Sequence, residues 1–355
     1  MIATRHPVTA ALLVAAVTLT TAPRNHAAGT QGAGALPVDV TWALSDAAQF
    51  STEQLAALRR GQVIAKAETS SSDFEAWAVA AVRIATPKAR AVDYFHQLLS
   101  YEDGQVTLQF GKVSNPPQTA DFDRLTIDSD DFNALRSCRP GRCDVRVGAA
   151  ATGMLASAID WRAPDAAERL NAWARGQLTT YVAAYLARGD DALVAYDDRS
   201  ELVQLRDMWR MILTNSPALA AYAPAMVSYL TDYPRKTLPG LTEQIYWDKE
   251  HMTGLKPIVF VTHLTTWTDP QRPDRTLVAQ KQLYASHYFY GMLAVTGFFE
   301  DAGANPPATY LVYFNRSRGD LLKGGFGGVK RRVAEQAAKQ SAEQLLGSMK
   351  RALEQ

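Results

Sequence analysis

The sequence predicts an α+β protein: an antiparallel sheet and a long C-terminal helix make the main domain, and a helical segment is inserted into it. Three observations carry that expectation. Apolar residues alternate with a period of two before residue 114, recur with a helical period through most of residues 150–239, and alternate again after Pro239-Gly240 until one amphipathic stretch closes the chain. The length of 355 residues suits one large domain or two modest ones. At 47% hydrophobic and 21% charged the composition excludes a disordered chain, and 37 basic residues scattered among 36 acidic ones leave no footprint for nucleic acid.

Residues 1–35 are an address and not part of the fold. Arg5 and His6 precede the apolar run Val8 to Leu19, and small and polar residues follow, as in a secretory signal peptide cleaved after Ala28 or after Ala35 of Ala33-Gly34-Ala35. The run is shorter than the ~20 residues of a membrane span. No later stretch is long and apolar enough either, so the expected product is soluble and exported, to the periplasm or beyond.

The first element signed by the sequence is a helix, opened by the capping box Ser51-Thr52-Glu53-Gln54 and stopped by Gly61. Short strands follow at Val63 to Ala67 and Trp77 to Ile84. Thr86 as cap and Pro87 at the first position then start a helix that turns Val92, Phe95, Leu98 and Leu99 inward, and Val106, Leu108 and Phe110 mark a half-buried strand. From Ser114 the pattern breaks at Pro116-Pro117. A second capping box, Asp165 to Glu168, begins a helix ended by Gly189; another helix is expected at Ser200 to Leu213, and shorter ones are broken by Pro217, Pro224 and Pro234. Strands return at Ile258 to Trp267, Thr276 to Phe299 with a break near Gly291, and Tyr310 to Arg316. In the closing helix, Val329, Val333, Ala337, Ala338, Leu345, Met349 and Leu353 form the expected stripe. The glycines of Gly324-Gly325-Phe326-Gly327-Gly328 match no phosphate-binding pattern and are read as a joint.

Cys138 and Cys143 are the only cysteines, five apart across a Pro-Gly turn. In an oxidising compartment such a pair is most simply a disulfide; the spacing is not that of a C-x-x-C redox motif, and no second cysteine pair completes a zinc site. The same search yields no metal ligand set and no cofactor motif.

The order of these elements resembles the START-like, SRPBCC-type helix-grip superfamily. The resemblance rests on the strand leading into Thr-Pro-x4-Val-x2-Phe-x2-Leu at Thr86 to Leu98, the later meander of strands, and the ending of strand, glycine-containing turn and long helix at Leu321 to Leu353. It implies a curved antiparallel sheet wrapped around the C-terminal helix over a deep apolar cavity. On this reading residues 36–113 and 240–355 form the START-like domain, and residues 114–239 are a helical insertion with the cysteine loop. The chain also resembles a group of exported bacterial proteins with similar stretches at Cys138 to Gly141, Lys281 to Tyr288 and Tyr313 to Arg318.

That resemblance implies a binding protein for a lipid or another apolar small molecule. The residues expected to line its site are Trp267, Tyr284, His287 and Tyr313, with Arg316 and Arg318 at the rim for an anionic head group. The rival is an acid–base enzyme on the same fold: Lys281 and His287 share one strand face, His263 sits among apolar residues on a neighbouring strand, and an imidazole titrates near neutral pH. Equally, each histidine orders the sheet through a local hydrogen bond, and the arginines pair with nearby acids. A third reading is an interaction scaffold working through the helical insertion.

Overall fold

The computed structural model describes residues 35–69, 75–100, 102, 104, 106–252, 254–320 and 327–355. The expected signal peptide, apart from Ala35, and the first part of the glycine joint lie outside them. The fold is α+β, with a large antiparallel sheet and a C-terminal helix, an arrangement compatible with a helix grip.

Before the sheet come α1 (Val38–Thr41) and α2 (Thr52–Arg59), the latter held by the expected capping box between Ser51 and Gln54. The sheet has eight strands: β1 (Ile64–Thr69), β2 (Glu75–Ile84), β3 (Thr107–Val113), β6 (Leu241–Glu250), β7 (Ile258–Thr268), β8 (Arg275–Ala285), β9 (Phe289–Glu300) and β10 (Thr309–Gly319). Their order across the sheet is β1-β2-β10-β9-β8-β7-β6-β3, every neighbour antiparallel. The last strand therefore pairs with one of the first, which joins residues 36–113 and 240–355 in a single sheet. Val79 and Val261 both belong to it.

Two helices cover one surface of this sheet, α3 (Lys88–Leu99) and α10 (Gly327–Leu353). Ala80, Val82, Ile84, Leu311, Phe298 and Val278 project from adjacent strands into one core with Phe95 of α3 and Ala342, Leu346, Met349 and Leu353 of α10. We call this the grip face. The inward stripe of α10 differs from the expected one, because Ala342 and Leu346 carry it and Val333 is exposed; the Val329 side chain lies outside the described residues.

The opposite surface, the insertion face, is covered by helices from residues 114–239. These are α4 (Ser129–Arg136), α5 (Ala149–Ala158), α6 (Ala166–Arg188), α7 (Leu205–Thr214), α8 (Pro217–Tyr222) and α9 (Pro224–Asp232), with a two-stranded ribbon of β4 (Ala195–Tyr196) and β5 (Val203–Gln204) before α7. Tyr185 of α6, Trp209 and Ile212 of α7 and Met226 and Leu230 of α9 pack into the sheet residues Trp247, Val261, Leu277 and Leu293, the largest core of the protein. A satellite core under α4 and α5 contains the bridged Cys138 and Cys143.

Several local expectations change. Thr86 and Asp165 make no side-chain cap; Thr86 instead accepts from Thr309 through its carbonyl, and Asp165 pairs with Arg169 one turn on. Pro217 and Pro224 begin helices, at the position where a missing N–H costs nothing. The helix expected from Ser200 starts only at Leu205, because Val203 and Gln204 join the ribbon. Gly291 lies inside β9, and the chain turns at Ser286 to Tyr288, where Tyr288 takes a positive φ of 58°. Gly189 does stop α6: it has φ 59°, and a Cβ there would stand 1.8 Å from the Tyr233 carbonyl oxygen.

Candidate functional site

Half of the grip face is apolar core, and the other half is buried but polar. Along β6 the alternation places Tyr246, Asp248 and Glu250 on this face. Across the sheet, Tyr246 stands opposite Thr262, Thr262 opposite Gln282, Leu264 opposite Gln280, and Thr296 opposite Tyr313. Thr262, Gln282, Thr296 and Asp248 are all buried. Gln280 donates to the Tyr246 hydroxyl at 3.0 Å. Among the described residues, both polar atoms of the Gln282 side chain, the Thr296 hydroxyl and Oδ1 of Asp248 have no hydrogen-bond partner. An unmet buried polar group costs about 1–3 kcal/mol, so native proteins carry few of them without a reason.

Electrostatics set the chemical form of these groups. Burial, and then the neighbouring Glu250 carboxyl, raise the Asp248 carboxyl well above the usual carboxylate range. Both causes favour the neutral form of Asp248, in which the carboxyl donates a hydrogen bond as well as accepting one. Burial pushes the Tyr313 hydroxyl up to about 12 and Tyr246 further, so both remain neutral donors. Next to this patch is a cleft of 210 Å³ between the C-terminal end of α3 and strands β3, β6 and β7, with Tyr246 and Leu264 in its lining. His96 guards it from α3, hydrogen-bonded to Thr266 at 2.9 Å.

The sequence-selected residues distribute differently. Tyr313 is on the grip face, opposite Thr296. His263 and Lys281 do face each other in register, yet on the insertion face, inside the core. There Nε2 of His263 lies 3.1 Å from the Glu243 carboxylate, and the Tyr185 hydroxyl lies 2.9 Å from Nδ1. A carboxylate only accepts, so Nε2 carries the proton and Nδ1 accepts from Tyr185. Burial foremost lowers the pKa of both His263 and Lys281. The Lys281 ammonium contacts Asp190 and donates to the Leu230 carbonyl at 2.9 Å.

His287 is at the β8–β9 turn, 2.9 Å from Asp131, apart from the other two. The expected shared strand face fails for it because the chain turns at Ser286. Trp267, on the insertion face, donates to the Pro239 carbonyl, and Tyr284 donates to the Arg146 carbonyl at 2.6 Å. Arg316 and Arg318 line neither the cleft beneath α3 nor the pocket of 530 Å³ at the end of the sheet. Both bind the carboxylate of Glu75, which is fully buried and also accepts from Asn215 at the end of α7.

Sequence reasoning missed Asp248, Glu250, Gln282 and Thr296 as site residues. A signal existed in the alternation Tyr246-x-Asp248-x-Glu250, but a polar alternation is also what a solvent-facing strand shows.

No family model matches this chain, and no curated protein matches it. Among solved structures, the crystal structure of the Zhui aromatase/cyclase from a Streptomyces species shares 16% identity with it, covering 36% of this chain and 82% of that one with a TM-score of 0.20. So slight a likeness carries no argument, and the architecture rests on the strand order and the two helices described above. Among the described residues no helix is long and apolar enough to cross a membrane, and no cluster of histidine, cysteine and acidic side chains is arranged to hold a metal ion.

Proposed function

We propose that this is an exported binding protein of the START-like helix-grip type, whose small-molecule ligand lies on the grip face. The carrying observation is a row of buried atoms without a hydrogen-bond partner among the described residues: both polar atoms of the Gln282 side chain, the Thr296 hydroxyl and Oδ1 of Asp248. Such groups fit a ligand that brings its own hydrogen-bond donors and acceptors. The apolar half of the same face supports an apolar body, so the ligand class is a lipid-like or ring-bearing molecule with a polar end, not a wholly apolar one. The cleft beneath α3 is its proposed entrance. The Cys138–Cys143 disulfide and the N-terminal apolar run support export.

Native mass spectrometry of protein purified from its producing cells tests the reading. A bound small molecule is expected on the wild type and absent from the double variant Gln282→Leu/Thr296→Val. A wild-type spectrum without any bound mass, together with unfolding that the double variant does not strengthen, counts against it.

A further inference from the structure

A pocket of 530 Å³ is elsewhere, at the end of the sheet where four separate stretches of chain meet. The cysteine loop arrives through hydrogen bonds from Gly141 and Cys143 to the carbonyls of Asp197 and Asp198. The β8–β9 turn arrives through Arg146 N–H donating to Ser286, and the end of β10 through Asp320 N–H donating to Tyr288. At its floor is Arg146, only 1% exposed, with its guanidinium 4.1 Å from the ring centre of Tyr290 and 5.4 Å from that of Tyr196.

Charge and hydrogen bonding in this pocket define a ligand. Arg146 and the more exposed Arg199 bracket Asp198 and Asp320 at 3.0–3.8 Å, a ring of two cations and two anions that is neutral in sum. Asp144 and Glu201 also line the pocket and make no ion pair among the described residues, so the field inside is negative and favours a cation. Nη1 of Arg146 donates to the Phe289 carbonyl, but Nε and Nη2, although close to the two aspartates, have no aligned acceptor. A buried donor in that condition seeks an oxygen, and the adjacent aspartates exclude a second anion. Volume sets the scale: 530 Å³ is the size of a small-molecule site.

We infer that this pocket binds a small molecule carrying a primary ammonium group beside a neutral oxygen acceptor. The ammonium goes to Asp144 and Glu201, and the oxygen goes to Arg146. An amino sugar and an α-amino amide both present that chemistry. The site is independent of the grip face, and so is its test.

Calorimetric titration of the full chain uses glucosamine and glycinamide as ammonium probes, and N-acetylglucosamine and acetamide as their uncharged counterparts. At least one ammonium probe is expected to bind and its counterpart not to; which one binds tells the amino sugar from the amide. The exposed pair Asp144→Asn/Glu201→Gln should weaken binding about tenfold or more. Arg199→Ala, which removes a cation from the pocket wall and leaves its field more negative, should tighten it, with circular dichroism confirming that each variant is folded. Equal binding of acetylated and free amine, binding of neither ammonium probe, or weakening by Arg199→Ala would overturn the assignment.

Discussion

Two sets of buried polar side chains, one on each face of the sheet, differ in how their hydrogen bonds are met. On the insertion face His263, Lys281 and Glu75 are as deeply buried as anything in the protein, and each has its partners: Glu243 and Tyr185, Asp190 and the Leu230 carbonyl, and Arg316, Arg318 and Asn215. On the grip face Gln282 and Thr296 are equally buried and their side chains have none among the described residues. Residue type points the wrong way here, since histidine and lysine carry acid–base chemistry far more often than glutamine and threonine do. What separates the two sets is saturation. The saturated groups fix the helical insertion onto the sheet; on the proposed reading the unsaturated ones of the grip face are where the ligand binds.

The contrast makes predictions of opposite sign. The largest effect belongs to Glu75→Ala, which strands two buried guanidiniums without their carboxylate and should cost about 3–5 kcal/mol in urea unfolding. If the loss is below about 1 kcal/mol, the insertion face is not saturated in the sense argued. On the grip face the double change Gln282→Leu/Thr296→Val should instead stabilise the ligand-free protein by about 1–3 kcal/mol, read from the same titration, because it removes groups whose hydrogen bonds are unmet. A destabilised double variant would mean that those groups are partnered after all.

Replacing Cys138 and Cys143 by serine should cost about 2 kcal/mol, small because the loop they close is short. The effect should be felt around α4 and α5 before the sheet, which hydrogen exchange can resolve. The mildest expectation concerns pH. Burial holds the His263 pKa below 6.5, so on acidification the unfolded chain takes up a proton that the native protein refuses. Its contribution to stability is complete above 6.5 and is lost as pH falls toward the folded value. Glu243, lowered from 4.5 chiefly by its hydrogen bond to His263, contributes above 4.5 and loses that contribution at more acid pH. His96, also lowered by burial, adds to the first step. Thermal melts of His263→Gln should therefore fall less steeply than wild type between pH 7 and pH 5, and an unchanged slope would assign the acid sensitivity to His96.

How far the sequence foretold this depends on how local each signal is. The capping box at Ser51 and the stop at Gly189 were legible, because each depends on residues within a turn or two. So was the placing of Lys281 and of His263 each on the apolar side of its own strand. Which side that is was not legible. Both faces of the sheet are covered, so alternation separates odd from even positions without saying which set meets α10 and which meets the insertion. The failure at His287 has the same origin on a smaller scale, since a tight turn at Ser286 ends the alternation with no glycine or proline to announce it. Asp248 and Glu250 escaped notice because nothing in a Tyr-x-Asp-x-Glu pattern says that other layers will close over it.

The chain leaves the sheet at Val113 and re-enters at Leu241, and the two strands on either side of that excursion, β3 and β6, are hydrogen-bonded neighbours. Topologically, everything from residue 114 to residue 240 occupies the place of a hairpin loop. A tight turn there would give the same strand order, and added length at a surface turn is thermodynamically cheap. The helices are nonetheless the roof over Trp247, Val261, Leu277 and Leu293, and a chain shortened to that turn would keep its wiring while turning one whole side of the sheet into an adhesive surface.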